Sequence, residues 1–225
     1  MSGSIENRDA FLALLTERLG TPDFEPYVLP SDLPMREKAE LSVEELLALA
    51  HKQAEFVSAA MLEITSQELT ETLQQLIEKA GGGQIMVPTD DDFEHFVSAD
   101  SFENVVRWQV GADKRDENIQ AAQNSNIAIA VPRFFLAESA TIVVESHAGQ
   151  GRSFHFLPTH YIAVVPQSRV VARSTQAAAY YDAHKRPGST LHFISGPSNS
   201  GDIEMQLVVG LHGPLEITYL IVKDL

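Results

Sequence analysis

Apolar residues in this chain occur as short solid runs separated by segments with one apolar and one polar face. The runs at 84–87, 126–131, 141–145, 161–165, 191–194 and 215–222 are rich in Ile and Val and read as strands. The last, LEITYLIV, is too apolar for an edge that faces water on both sides. Between them lie helical signals. Ser42-Val43-Glu44-Glu45 fits a capping box that opens a helix through about Met61, and a second helix runs from about Ser66 to Lys79, where three glycines stop it. The acidic stretch 90–94 opens another helix, 104–110 reads as a strand, and 113–123 and 175–185 read as helices. Strands alternating with helices predict an α/β fold, a mostly parallel sheet in three layers. The closely spaced runs 141–145, 154–157 and 161–165 predict a hairpin or meander attached to it.

The amino-terminal part differs. Residues 4–19 form a helical pattern with Phe11, Leu12, Leu15 and Leu19 on one stripe, ended by Gly20 and Pro22. Prolines at 22, 26, 30 and 34 then impose an extended arm, whose Phe24, Tyr27, Val28 and Leu29 need a surface to cover. Packing over its own domain costs no association entropy and is the expected arrangement over contact with a neighbouring subunit. The division expected is 1–40 as helix and Pro-rich arm, and 41–225 as the α/β domain.

Composition narrows the partners. Acids outnumber Lys and Arg 31 to 16, giving a net charge of −15, and the longest basic cluster is Lys185-Arg186, which argues against nucleic acid. No apolar run reaches the roughly 20 residues of a membrane span, and the amino terminus lacks a basic segment followed by an apolar one. A cytoplasmic protein is expected. Cysteine is absent, so this chain is expected to carry no iron–sulfur cluster, and redox electrons must pass through another bound cofactor or a partner.

The densest candidate chemistry lies in 191–214. A strand read as buried leads into Ser195, Gly196, Pro197 and Ser198, after which Asp202 and Glu204 enter a short helix whose Ile203 and Leu207 lie one turn apart. A strand-to-helix loop of this kind is where α/β proteins hold anions; an ordinary turn capped by Ser200 fits equally. Asp202 and Glu204 are expected to fix the loop, since acids there compete with an anion. Glu138, after an apolar run, is a candidate acid, base or nucleophile, or else a turn carboxylate bonded to backbone. His212, in Gly210-Leu211-His212-Gly213-Pro214, is a candidate base or donor to a substrate carboxylate, or a structural histidine. His155 and His160 are separated by Pro158 and do not share a helix, so no metal site is assigned. His147 reads as an exposed turn residue, and Gly149-Gln150-Gly151 as a hairpin tip rather than a phosphate cradle.

Four segments together resemble a known family. Ala137-Glu138-Ser139-Ala140-Thr141-Ile142-Val143, the strand ending at Val165-Pro166, Ser195-Gly196-Pro197-Ser198 with Asp202-Ile203-Glu204, and His212-Gly213-Pro214 are similar to the LUD-domain family, within it the lactate-utilisation C group. The resemblance implies a fold like the NagB/RpiA/CoA-transferase superfamily. It implies a subunit of an L-lactate-oxidising system working beside an iron–sulfur LUD-domain subunit and a third subunit. Glu138 and His212 are then the expected catalytic residues, and Ser139, Thr141, Ser195, Gly196, Pro197, Ser198 and Gly213 the expected ligand contacts for a small carboxylate or phosphorylated ligand. The cofactor is unassigned. Ala140 departs from the glycine usual at its position, which puts a left-handed turn there in question. Two alternatives stand: a stand-alone enzyme on a CoA ester or sugar phosphate using Glu138, and a non-catalytic interaction subunit.

Overall fold

The computed structural model describes residues 6–20, 28, 30–184, 189–203 and 206–225, with backbone alone for 201–203 and 206–207. The chain divides into two compact units, Met1–Pro34 and Met35–Leu225. The first contains helix α1 (Arg8–Leu19), and a single turn, α2 (Leu33–Arg36), spans the junction. Most of the proline arm, 21–27 and 29, lies outside the described residues, and with it the expected packing of Phe24, Tyr27 and Leu29.

The second unit begins with α3 (Val43–Phe56), opened by the expected capping box: Ser42 Oγ accepts from Glu45 N, and Glu45 accepts from Ser42 N. Then follow β1 (Ala60–Ile64), α4 (Leu69–Lys79), β2 (Ile85–Val87), α5 (Asp91–Phe96), β3 (Val105–Arg107), α6 (Arg115–Asn124), β4 (Ile127–Ala130), β5 (Phe134–Leu136) and β6 (Thr141–Ser146). The remainder is α7 (Arg152–Phe156), β7 (His160–Pro166), β8 (Val170–Val171), α8 (Ser174–Ala183), β9 (Thr190–Ser195), β10 (Asn199–Ile203), β11 (Gln206–Val209) and β12 (Glu216–Val222).

Six strands in the order β1-β12-β7-β4-β2-β3 form a wholly parallel sheet. Alternation within each strand sorts its side chains onto two cores. Ile127 and Ile129, Ile162 and Val164, and Leu220 and Val222 point to one face, with Leu69 and Leu73 of α4 and Phe93 of α5. Ala128 and Ala130, Tyr161, Ala163 and Val165, and Tyr219 and Ile221 point to the other. That second face meets not helices alone but a smaller sheet, β8-β5-β6-β9, through Phe135, Ile142, Val144 and Ile194. Its outer side carries Leu136 and Val143 packed with Ala177 of α8. The architecture is thus mixed α/β around a parallel sheet, with a second sheet where the three-layer expectation has only helices.

Four local expectations change. The helix expected through Met61 ends at Phe56, and 60–64 becomes β1, because pairing with β12 along its whole length stabilises an extended edge there. Residues 154–156 are helical rather than part of a strand, so the meander dissolves: β6 joins the small sheet and β7 the central one. The short helix after Ser198 is absent. An antiparallel hairpin, β10–β11, stands in its place, with Asn199 opposite Val209 and Ser200 opposite Val208. Gly201 weakens a helix interior, and the β-branched Val208-Val209 pair favours the extended form. Finally, β9 is not a buried strand but an edge, with Phe193 about half exposed.

Candidate functional site

The expected site residues fall into three local groups. Thr141 lies opposite Ser195 in the β6–β9 pairing, and their hydroxyls bond at 2.5 Å; Ser139 Oγ bonds Thr141 Oγ1 at 2.7 Å. The strand register creates this chain of three hydroxyls. Ala140, between two of its members, does take a left-handed φ of +46° and is fully buried, so the turn is kept without glycine.

Glu138 is held elsewhere. Its Oε2 accepts from Lys38 Nζ at 2.8 Å and lies 3.0 Å from Arg173 Nε, and Arg173 also reaches Glu37 at 2.6 Å. The two cations beside it, Lys38 and Arg173, hold the Glu37 carboxyl below the usual range, and the Glu138 bond raises the Lys38 ammonium. Such a carboxylate is occupied by two cations before any substrate arrives.

The third group is a knot of backbone. Ser198 N donates to Pro214 O at 3.0 Å, Gly210 N to Ser198 O at 2.9 Å, and His212 N to Ser198 Oγ at 3.0 Å. The His212 side chain is exposed, and a Cβ on Gly213 would sit 3.2 Å from Ser198 Cβ. Gly196 is required: its φ is +66°, a Cβ would meet Val57 O at 2.2 Å, and its N–H donates to the buried Tyr219 hydroxyl at 2.7 Å. Pro197 is buried beside it. With β10 in place of a helix, the helix N-terminus expected after this loop is not formed. Glu204 and the Asp202 side chain lie outside the described residues.

The large concavity is elsewhere. A cleft of about 850 Å³ opens beyond the carboxyl end of β3. One wall is the β3–α6 connection and the start of α6, with Trp108, Val110, Arg115 and Ile119; the other is the turn after β6 and helix α7, with His147, Arg152, Phe156 and Leu157. None of the nine expected catalytic and ligand-contact residues lines it.

Its walls are locked by close approach. The 147–151 segment is a tight turn in which His147 N and Gln150 N each donate to the other's carbonyl, but it leads from β6 into helix α7 rather than joining two strands as the hairpin tip expected. A Cβ on Gly149 would lie 1.8 Å from Thr89 O, and one on Gly151 would lie 2.3 Å from the Trp108 ring. Thr89 N donates to Gly149 O at 3.0 Å, and the Trp108 indole N–H donates to Ala148 O at 3.1 Å. On the opposite wall Asn118, buried, exchanges two 2.8 Å bonds with the Gln109 backbone and so fixes the β3–α6 connection.

A smaller polar crevice of about 250 Å³ adjoins at His147, lined by Asp90, Asp92 and Arg133 among others. It lies at the switch point of the sheet, between β2, which connects towards β3, and β4, whose chain leaves on the other side. His147, half-buried rather than exposed, has both ring nitrogens engaged: Nε2 with Asp90 Oδ2 at 3.1 Å, and Nδ1 accepting from Gly149 N at 3.1 Å. The His147 bond holds the Asp90 carboxyl below the usual range. Asp92 is taken by Arg169 through two bonds. These groups position the turn; they do not stand ready for proton transfer.

Of the two other candidate histidines, His160 bonds Asn126 at 3.2 Å, while His155 is fully buried, with Nδ1 2.8 Å from the Tyr161 hydroxyl and no partner at Nε2. Burial pushes its pKa down to about 3. Among the described residues no group of three or more His, Cys, Asp or Glu could hold a metal, and no helix is long and apolar enough to cross a membrane.

The model of the LUD domain matches residues 47–222. The chain belongs to the LUD-domain family. It is 40% identical to the Lactate utilization protein C of Geobacillus thermodenitrificans, over 99% of this chain and 98% of that protein. It is 41% identical to that of Geobacillus kaustophilus at the same coverage, and 43% identical to that of Anoxybacillus flavithermus over 81% and 83% of the two chains. The fold is shared with a crystal structure of a DUF162-family protein from Deinococcus radiodurans, with a TM-score of 0.61 and 19% identity over 81% of this chain and 99% of that one. The LUD match spans both the cleft and the segments around 138–141, 195–198 and 212–213.

No short motif marks the cleft in the sequence. Its residues come from 108–119 and 147–157, and the one available signal is the chain's only tryptophan together with Arg115 and Arg152, two of just 16 basic residues.

Proposed function

We propose that this LUD-domain chain acts in lactate utilisation, as a cytoplasmic component of the system that oxidises L-lactate to pyruvate, and that its ligand site is the cleft between α6 and α7. The observation that carries the role is the near-full-length similarity, at 40–41% identity, to proteins named Lactate utilization protein C. The charge of the cleft carries the site: among the described residues its lining holds two arginines and a histidine and no carboxylate, in a chain of net charge −15. Oxidising lactate removes two electrons and two protons. A chain without cysteine is suited to binding and orienting an anion while an iron–sulfur LUD-domain partner and a third subunit carry the electrons.

The ion pairs on Glu138 weigh against its use as a nucleophile on a CoA ester, a use suggested only by the implied likeness to the NagB/RpiA/CoA-transferase superfamily. A second reading keeps a small-anion subsite at Ser139, Thr141 and Ser195, with Ser198, Gly213 and His212 beside it, favoured by the three adjacent hydroxyls. The test is lactate oxidation by the reconstituted partners with and without this chain. The proposed role predicts loss of lactate-dependent electron transfer when it is omitted; an unchanged rate contradicts it.

A further inference from the structure

The cleft between α6 and α7 is larger than its proposed role in lactate chemistry requires. At about 850 Å³ it lies towards the top of the range for sites that enclose drug-sized ligands, and a three-carbon hydroxy acid leaves most of it to water. Most of its lining is apolar. Phe156 and Trp108 provide aromatic walls, Ile119 a half-buried aliphatic one, and Val110 and Leu157 stand 58% and 42% exposed at its margin. Exposed apolar side chains gathered at the mouth of a concavity mark a surface that a ligand covers.

The cations are equally placed. Arg152, on α7, pairs with no carboxylate among the described residues, and Arg115, across the cleft on α6, has only its exposed contact with neighbouring Asp116 at 2.9 Å. An exposed pair of that kind is weak and gives way to a better anion. Guanidinium groups bind carboxylate and phosphate through two parallel hydrogen bonds, and among the described residues no acid lines the cleft to oppose them.

We infer that the cleft binds a planar aromatic anion, its ring system held between Phe156, Ile119 and the apolar margin and its carboxylate or phosphate on Arg152 and Arg115. This rests on the cleft being the ligand site but not on lactate being the substrate. The ring explains the volume and the apolar walls; the acid explains two arginines at the cleft, one paired with no carboxylate among the described residues and the other only with its exposed neighbour Asp116. A second macromolecule is a poorer occupant, since the walls that would receive it are held rigidly by Gly149, Gly151 and Asn118 around an inward concavity.

The test is a titration of the purified full chain, followed by calorimetry and by quenching of its single tryptophan, with four probes: flavin mononucleotide, riboflavin, 2-naphthoate and inorganic phosphate. Flavin mononucleotide or 2-naphthoate, or both, are expected to saturate, and which of them binds tells phosphate from carboxylate. The matching probe that lacks one half, riboflavin or inorganic phosphate, is expected to bind about ten-fold or more weakly, the loss of one charge-assisted contact or of the ring burial. Arg152→Ala is expected to bring the anionic ring compound down by the same factor, and Val110→Glu, which sets a carboxylate at the apolar margin, to weaken it as well. Absence of saturable binding by either anionic ring compound overturns the inference, as does equal binding in wild type and Arg152→Ala. Saturable, Arg152-dependent binding with no effect of Arg152→Ala on lactate oxidation would keep the inference and remove the lactate reading of the cleft.

Discussion

Two regions of this protein compete for the role of functional site, and they are built in opposite ways. The 195–198 loop and its neighbours are conspicuous in sequence, being crowded with Ser, Gly and Pro, yet their polar atoms are spent on one another: Ser195 on Thr141, Ser198 on His212 N and Gly210 N, Glu138 on Lys38 and Arg173. The α6–α7 cleft is inconspicuous in sequence, yet its arginines line a cavity with no carboxylate among the described residues of its lining. Small polar residues close together are a signature of tight turns as much as of ligand loops. Arginines around a concavity, one paired with no carboxylate among the described residues and one only with an exposed neighbour, are harder to explain by structure alone.

The comparison can be broken most forcefully at its glycines. Gly149→Ala places a methyl group on Thr89 O, and Gly196→Ala places one on Val57 O at a left-handed φ; each should cost about 3 kcal/mol, read as a lowered midpoint in denaturant unfolding. The two should then differ in ligand binding. Gly149→Ala deforms the cleft wall and should abolish binding of the aromatic anion, whereas Gly196→Ala should leave it intact in the folded fraction. Equal loss in both would mean that the cleft is not the separate site described.

His155 tests the packing behind α7. Its folded pKa of about 3 lies below the unfolded value of about 6.5, so its neutral form contributes stability that is complete above about pH 6.5 and is lost as pH falls towards 3. The slope should reach about 1.4 kcal/mol per pH unit between those limits. His192, whose pKa burial also lowers, adds to it in the same direction. His155→Phe should leave the Tyr161 hydroxyl without its partner and cost about 1–3 kcal/mol at pH 7 while flattening the slope below pH 6.5. An undiminished slope would show that His155 is not the group responsible.

The smallest effect is expected at Ala140. Glycine there relieves a left-handed residue by about 1 kcal/mol but removes a buried methyl worth about 0.8 kcal/mol, so Ala140→Gly should be nearly neutral in stability.

How much of this was legible from the chain follows from where each signal sits. Solid apolar runs gave β4, β7 and β12, because a parallel strand buried on both faces needs no alternation, and the Ser42 and Asp90 caps announced their helices locally. What misled was short and context-dependent. Residues 60–64 continue an acceptable helix until pairing with β12 draws them out, 134–136 are too brief to read apart from their partners β6 and β8, and the Ile203–Leu207 spacing suits a helix as well as a hairpin. Thr141 and Ser195 were both expected as ligand contacts, and the β6–β9 register brings their hydroxyls together, a pairing that no local signal in either segment announces; the cleft was not expected, because its walls lie some 40 residues apart in sequence and meet only through the packing of α6 on α7.

The most direct test sets one residue of each region side by side in the reconstituted lactate-oxidation system: Arg152→Ala from the cleft and Ser195→Ala from the loop. The account predicts that Arg152→Ala lowers the rate about ten-fold with an unchanged melting temperature, while Ser195→Ala stays near wild type. Wild-type activity in Arg152→Ala together with loss in Ser195→Ala would contradict it and return the site to the loop.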